Sequence, residues 1–205
     1  MKLVCISDTH GYTPELPEGD VLIHCGDFNH NGNWDYNLAM FVHWFGNQPH
    51  KHKILVPGNH DWVFDKYYIE SMELVDNKFE VLIDRGIEID GVKFYGTPSQ
   101  PVFYDWAFNH RAEVREQKYA AIPEGTDVVI THTPPAWKLD KVPRGHVGCN
   151  LLAKHIERVK PKYHIFGHIH ESYGRIVEDG IEYVNCAYCD DNYSPANKPV
   201  VVEIN

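Results

Sequence analysis

Basic residues are scarce in this 205-residue chain. Lys and Arg number 19 against 29 Asp and Glu, a formal net charge of −10. So acidic a protein repels a polyphosphate, which excludes a long nucleic acid as the expected partner. Long apolar runs are also missing. None approaches the roughly 18 residues that a membrane-spanning helix needs, so no membrane association is expected. The opening segment Met1–Asp8 is too short in its apolar part to read as a signal peptide. Cysteine is sparse, and the five present (Cys5, Cys25, Cys149, Cys186 and Cys189) are odd in number and scattered. They read as reduced thiols, and a cytoplasmic location is expected. Cys186-x-x-Cys189 has the spacing of half a zinc site, but no second such pair completes one. The chain also lacks repeats, low-complexity stretches and linkers, so a single domain over residues 1–205 is expected.

What is present suits one globular domain. With 43% hydrophobic and 13% aromatic residues, the chain is long enough to bury a sizeable core. Short apolar runs at Lys2–Ser7, Val21–Cys25 and Lys53–Val56, each bounded by polar or Gly/Pro breakers, predict strands. Between the second and third, Leu38, Phe41, Val42 and Phe45 recur at helical spacing within 34–47. A second helix is predicted over 63–74. Asp90-Gly91 and Asp179-Gly180 are two-residue turn signals, and each predicts a hairpin between its flanking apolar runs. A loop over 97–109 carries Phe103, Tyr104, Trp106 and Phe108. Helices over 110–120 and 149–159 and strands over 128–131, 163–166 and 200–203 complete an α/β alternation.

Polar motifs stand at the ends of these predicted strands. Asp8-Thr9-His10 follows the first, Gly26-Asp27 the second and Pro57-Gly58-Asn59-His60-Asp61 the third; His132 and Gly167-His168-Ile169-His170 follow two later ones. Ligands of open α/β sheets gather at the carboxyl ends of strands, so five such clusters can converge on one site. Singly they are weak signals, because 14 of the 205 residues are His. His168-x-His170 is stronger, since alternate residues of an extended segment project to one side and can share a metal. The ordered set carries the weight.

That ordered set resembles the calcineurin-like metallophosphoesterases, whose motifs run D-x-H, G-D, G-N-H-D/E, H and G-H-x-H, and the match covers nearly the whole chain. Within them it is similar to the branch of metallophosphoesterase-domain-containing proteins. The segments that carry this likeness are Val4–His10, His24–Phe28, Thr131–Pro135, Val147-Gly148-Cys149 and Phe166–Glu171. The resemblance implies an α/β fold of two mixed β-sheets packed as a sandwich with helices outside. It implies that Asp8, His10 and His170 hold one divalent metal ion, that Asn59, His132 and His168 hold a second, and that Asp27 bridges them. Imidazole and carboxylate donors without thiolate suit manganese first, with iron, zinc or nickel as alternatives. A water shared by two such ions ionises near neutral pH and attacks the phosphate ester as hydroxide. The resemblance also implies that His60 is not a ligand but faces the substrate and assists the leaving oxygen.

One departure is informative. The phosphoprotein phosphatases continue their second motif as G-D-x-x-D-R-G, whereas this chain reads Gly26-Asp27-Phe28-Asn29-His30-Asn31-Gly32. The phosphate-clamping Arg and the acid that orients the catalytic His are both absent. The expectation is therefore a phosphodiesterase for a small diester, with a cyclic nucleotide among the candidates. A phosphomonoesterase or broad phosphatase is the alternative on the same site, and a non-catalytic metal- or nucleotide-binding regulator is the alternative outside enzymes. His146, in a Gly-flanked loop after His132, and Trp106, as a wall for a base to stack on, are the candidate substrate contacts. Oligomeric state is left open, with a dimer among the options.

Overall fold

The computed structural model describes residues 1–30 and 34–204. Asn31 and Gly32 of the second motif lie outside the described residues. In chain order the elements are β1 (Lys2–Ile6), β2 (Val21–His24), α1 (Trp34–Gly46), β3 (His52–Leu55), α2 (Trp62–Lys66), α3 (Tyr68–Val75), β4 (Glu80–Val81), β5 (Arg85–Ile89), β6 (Val92–Thr97) and the short β7 (Gln100–Pro101) and β8 (Asn109–His110). There follow α4 (Ala112–Ala120), β9 (Val128–Thr131), β10 (Lys141–Val142), β11 (Gly145–His146), α5 (Asn150–Val159), β12 (Tyr163–Phe166), a 3-10 turn (His170–Ser172), β13 (Gly174–Glu178), β14 (Ile181–Asn185) and β15 (Val200–Glu203).

Two mixed sheets result. One has the order β15-β1-β2-β3-β4 and the other β13-β14-β12-β9-β6-β5. β1 through β4 run parallel, with β15 antiparallel at the edge. β6, β9, β12 and β14 run parallel, flanked by the antiparallel β5 and β13.

Strict alternation sorts the strand side chains between two faces. Leu3, Cys5, Val21, Ile23 and Ile54 of the first sheet meet Phe94, Val128, Ile130, Ile165 and Val184 of the second in one core between the sheets. Their neighbours Val4, Leu22 and Leu55 point the other way and pack on Leu38, Phe41, Phe45, Val63 and Phe64 of α1 and α2. Tyr95, Val129, Phe166 and Tyr183 do the same against Tyr119 of α4 and Leu152, Ile156 and Val159 of α5. Strands buried on both faces read as unbroken apolar runs, which is why the run pattern located them. The expected sandwich with helices outside is the one observed, and among the described residues no helix is long and apolar enough to cross a membrane.

Two local expectations are corrected. The helix over 63–74 is two helices, α2 and α3, because Tyr67 between them takes φ −130° and breaks the helical path. The loop over 97–109 pairs with itself through β7 and β8, burying Ala107 and Phe108 and leaving Phe103 and Tyr104 exposed. All five cysteines are free and buried.

Candidate metal centre

The parallel strands of both sheets deliver their polar motifs to one edge. β1 leads to Asp8 and His10, β2 to Asp27, β3 to Asn59 and His60, β9 to His132, and β12 to His168 and His170. The chain leaves those strands sharply. Asp8 (φ 54°), His10 (φ 44°), Asp27 (φ 56°) and His168 (φ 68°) all sit in the left-handed region. Such positions cost of order 1–3 kcal/mol each and persist only where the surroundings dictate them. Two glycines let the loops close up. A Cβ on Gly58 would come 2.2 Å from Asp27 Oδ1, and one on Gly167 would come 2.1 Å from Asp8 Oδ2. Neither position has room for any side chain.

Asp61 ties two of these loops together. Its buried carboxylate accepts from the amides of Asp27 (2.8 Å), Gly58 (2.7 Å) and Asn29 (3.2 Å). Burial, reinforced by the nearby Asp27 charge, lifts its pKa well above the usual carboxylate range. Asp27 in turn accepts from the His60 amide at 2.8 Å, and Asp8 accepts from the His168 amide at 2.9 Å.

The imidazoles are aimed by their far nitrogens. Nδ1 of His10 lies 3.1 Å from the Asn29 carbonyl, Nδ1 of His132 2.8 Å from Cys25, Nδ1 of His170 2.6 Å from Asp190, and Nδ1 of His60 3.0 Å from His30. A carbonyl only accepts, so each Nδ1 carries its proton, and in the neutral ring each Nε2 is left with a lone pair facing inward. Those lone pairs meet other acceptors. His10 Nε2 is 3.4 Å from His170 Nε2. His132 Nε2 is 3.0 Å from Asn59 Oδ1 and 3.3 Å from Asp27 Oδ2, and His170 Nε2 is 3.3 Å from Asp8 Oδ1. Acceptors so opposed repel unless positive charge, a proton or a cation, lies between them. Among the described residues three groups have donor atoms all within 4.8 Å of one another: Asp8, His10 and His170; His10, Asp27 and His60; and Asp27, His132 and His168.

The titration behaviour carries the same message. Burial pushes His132 down, but the Asp27 carboxylate more than offsets it and carries the ring to about 9. His170 likewise reaches about 9, with burial opposed by its hydrogen bond to Asp8 and the charge there. Burial dominates for His10 and His168, which fall to about 4. Asp8 is held below the ordinary carboxylate range, because His170 outweighs its burial. Asp27 is lowered as well, the charges of His132 and His60 overcoming a fully buried setting.

The extended segment expected to carry His168 and His170 is corrected. The segment is not extended: His168 is left-handed and His170 opens a 3-10 turn. A tight turn, with the Ile169 carbonyl held by Asn185 at 2.8 Å, sends the two rings into different donor groups. His60 points Nε2 toward Asp27 Oδ2 at 3.9 Å, and the half-buried Trp106 packs on its ring at 4.2 Å. His146 is not brought into the donor groups. It is exposed on the β10–β11 hairpin, bonded to buried Asp140 at 2.5 Å and stacked on Trp137 at 4.3 Å.

Three participants escaped the sequence reading. Asp61 was legible as the acid of Gly58-Asn59-His60-Asp61. His30 lies 5.8 Å from the His10 ring, and Tyr193 lies 4.7 Å from it. Tyr193 lies outside every motif, and His30 stands in the second motif at a position for which no role was expected.

A family model described as calcineurin-like phosphoesterase matches residues 1–172. Fold, donor groups and match together define a metal-dependent phosphoesterase. The chain belongs to the calcineurin-like phosphoesterases, on the branch of metallophosphoesterase-domain-containing proteins. It is 38% identical over 231 residues to human metallophosphoesterase domain-containing protein 1, covering 99% of this chain and 71% of that one. It is 36% identical over 219 residues to the UPF0046 protein K07C11.7 of Caenorhabditis elegans, covering 100% of this chain and 75% of the relative. Among solved structures, TT1561 of Thermus thermophilus superposes with a TM-score of 0.67 at 14% identity, over 90% of this chain and 88% of that one. That likeness speaks for the fold alone.

Proposed function

We propose that this single-domain chain is a dinuclear phosphodiesterase for a small diester, with cyclic nucleotides among its substrates. The observation that carries the proposal is the convergence of imidazole and carboxylate donor atoms within 4.8 Å of one another, a grouping that calls for positive charge between them. In this assignment Asp8, His10 and His170 hold one cation, Asn59, His132 and His168 hold the other, and Asp27 touches both. The donor set fits a pair of divalent transition ions, manganese first, because it offers imidazole and carboxylate without thiolate. Such ions, when bound, neutralise phosphoryl oxygens and acidify water.

The protein's own part is positional. Backbone carbonyls of Asn29, Cys25 and Asp190 fix the tautomers of three of the four ligand imidazoles, His10, His132 and His170. His60, held through Nδ1 by the His30 carbonyl, turns Nε2 to the site to donate a proton to, or steady the charge on, the leaving oxygen. Trp106 flattens that side for a base.

Preference for a diester follows from charge. Among the described residues no Lys or Arg pairs with any residue of the donor groups, so the cations supply the fixed positive charge that meets the phosphate. One negative charge is easier to satisfy there than nearly two. The five free, buried thiols fit a reducing compartment such as the cytoplasm.

The test is a manganese-supplemented assay that compares an aryl diester, an aryl monoester, and 2′,3′- and 3′,5′-cyclic nucleotides. Diester turnover above monoester turnover is expected. Monoester turnover tenfold higher under one metal would transfer the assignment to a phosphomonoesterase.

A further inference from the structure

A tyrosine outside every motif stands over the donor groups. The Tyr193 ring meets His10 edge-on at 4.7 Å and 86°, and it meets His170 at 5.5 Å and 80°. It also lies 5.2 Å from His30 and 6.1 Å from His60. One ring therefore touches two proposed ligands of the first cation and the residue proposed to face the leaving group.

Its placement is enforced. Tyr193 sits at φ 58°, a conformation that bulky residues avoid. The Asp190 side chain holds the turn by accepting from the amides of Asn192 and Ser194, each at 2.9 Å. The Asp190 carbonyl accepts both the Tyr193 amide at 2.9 Å and His170 Nδ1 at 2.6 Å. A single acceptor thus aims the ligand imidazole and sets the tyrosine over it. The residue is still 40% exposed, and among the described residues nothing hydrogen-bonds its hydroxyl.

We propose that Tyr193 is a substrate-contacting residue, whose hydroxyl donates to a nonbridging phosphoryl oxygen of a diester seated on the metal face. This rests on the phosphoesterase reading and deepens it. In the phosphoprotein phosphatases a charged Arg meets the phosphate, and this chain has none at the corresponding place. A phenol is a neutral donor. It satisfies an oxygen of a monoanionic diester without supplying the positive charge that a dianionic monoester calls for. The absent Arg and the present Tyr thus select the same substrate class.

The test uses the full chain loaded with manganese, as wild type, Tyr193→Phe and Tyr193→Ala. Metal content, calorimetric binding of inorganic phosphate, and kcat/KM for an aryl diester are measured on each. The Phe variant is expected to keep two metals and to lose about three- to tenfold in both phosphate affinity and kcat/KM, the range of one neutral hydrogen bond. A Phe variant equal to wild type in both overturns the proposal. So does a loss confined to the Ala variant, which would make the ring a cover and nothing more. If wild type binds phosphate but hydrolyses no ester, the phosphoesterase reading falls, while the Phe comparison on phosphate still decides Tyr193. A wild-type protein that neither binds nor hydrolyses overturns both.

Discussion

The two halves of the proposed centre are built alike at the back and differently at the front. Behind the first, buried His24 meets the Thr9 hydroxyl at 3.1 Å; behind the second, buried His164 meets the Thr131 hydroxyl at 2.9 Å. In front, the first half owns a carboxylate, Asp8, and shares Asp27. The second half has the neutral amide of Asn59 and only the share in Asp27. Each half has one half-buried imidazole, His170 in the first and His168 in the second, and Tyr193 lies over that of the first. Both halves have a ring driven to about 9 by a facing carboxylate and another kept near 4 by burial. The lesson is that cation affinity in the two halves should differ by carboxylate count rather than by number of donors.

The largest expected effect comes from removing what the halves share. Asp27→Ala takes a charged donor from both, so both cations should be lost. Metal stabilisation of a transition state is worth several kcal/mol and 1.36 kcal/mol is tenfold, so kcat/KM should fall by about three orders of magnitude. Elemental analysis and kinetics on the purified variant check this. Two retained metals with normal turnover would overturn the bridge.

His168→Ala addresses the asymmetry itself. The second half would keep only Asn59, His132 and the shared Asp27, while the first would keep all its donors. A folded protein with about one tightly held metal, weak turnover and partial rescue by excess manganese is expected. Two tight metals and full kcat in this variant would mean that the second site is misassigned.

The likeness at the back is tested by acid. Burial lowers His24 and His164 to about 3. Their folded values lie below the ordinary 6.5, so their stabilisation is complete above pH 6.5 and is lost as pH falls from there toward 3. His132 and His170, raised to about 9, contribute fully below 6.5 and lose that contribution only as pH climbs through 9, so they do not change between pH 6.5 and 5. Urea unfolding of chelator-treated protein should therefore show stability falling from pH 7 to pH 5, on the order of 1–2 kcal/mol for each of the four lowered rings, His24 and His164 together with His10 and His168. His24→Gln and His164→Gln should each flatten that slope to a similar degree. A slope that only one of them alters would break the symmetry.

The smallest effect is expected at the rim. Trp106→Ala should raise KM for a nucleotide about tenfold, within the 1–3 kcal/mol that base stacking supplies, and hardly alter it for a small aryl diester. Equal changes for both substrates would reduce Trp106 to a support for His60.

The sequence was most legible where its signals are local. Strands buried on both faces are unbroken apolar runs, so Lys2–Ile6, Val21–His24 and Val128–Thr131 were found within a residue. Polar motifs at their ends supplied the candidate donors because the chemistry needs particular side chains. The helix break at Tyr67 was hidden, since 63–74 keeps a helical apolar pattern across it. His168 and His170 were paired by an argument about extended chain, yet a turn is what separates their rings.

By itself, then, the sequence determined which side chains are available to bind a metal, the strand ends that carry them and the absence of a phosphate-clamping Arg, because all of these are properties of residue type and short spacing. Only the tertiary structure decided which way each imidazole points, because backbone carbonyls of Asn29, Cys25 and Asp190 choose the tautomers and no side-chain letter records a carbonyl's direction. It alone set Asp61 as the tie between two loops, and it alone laid Tyr193 across His10, 183 positions away in the chain. Contacts between distant segments come from how two sheets stack, and that packing is a collective property of the whole core.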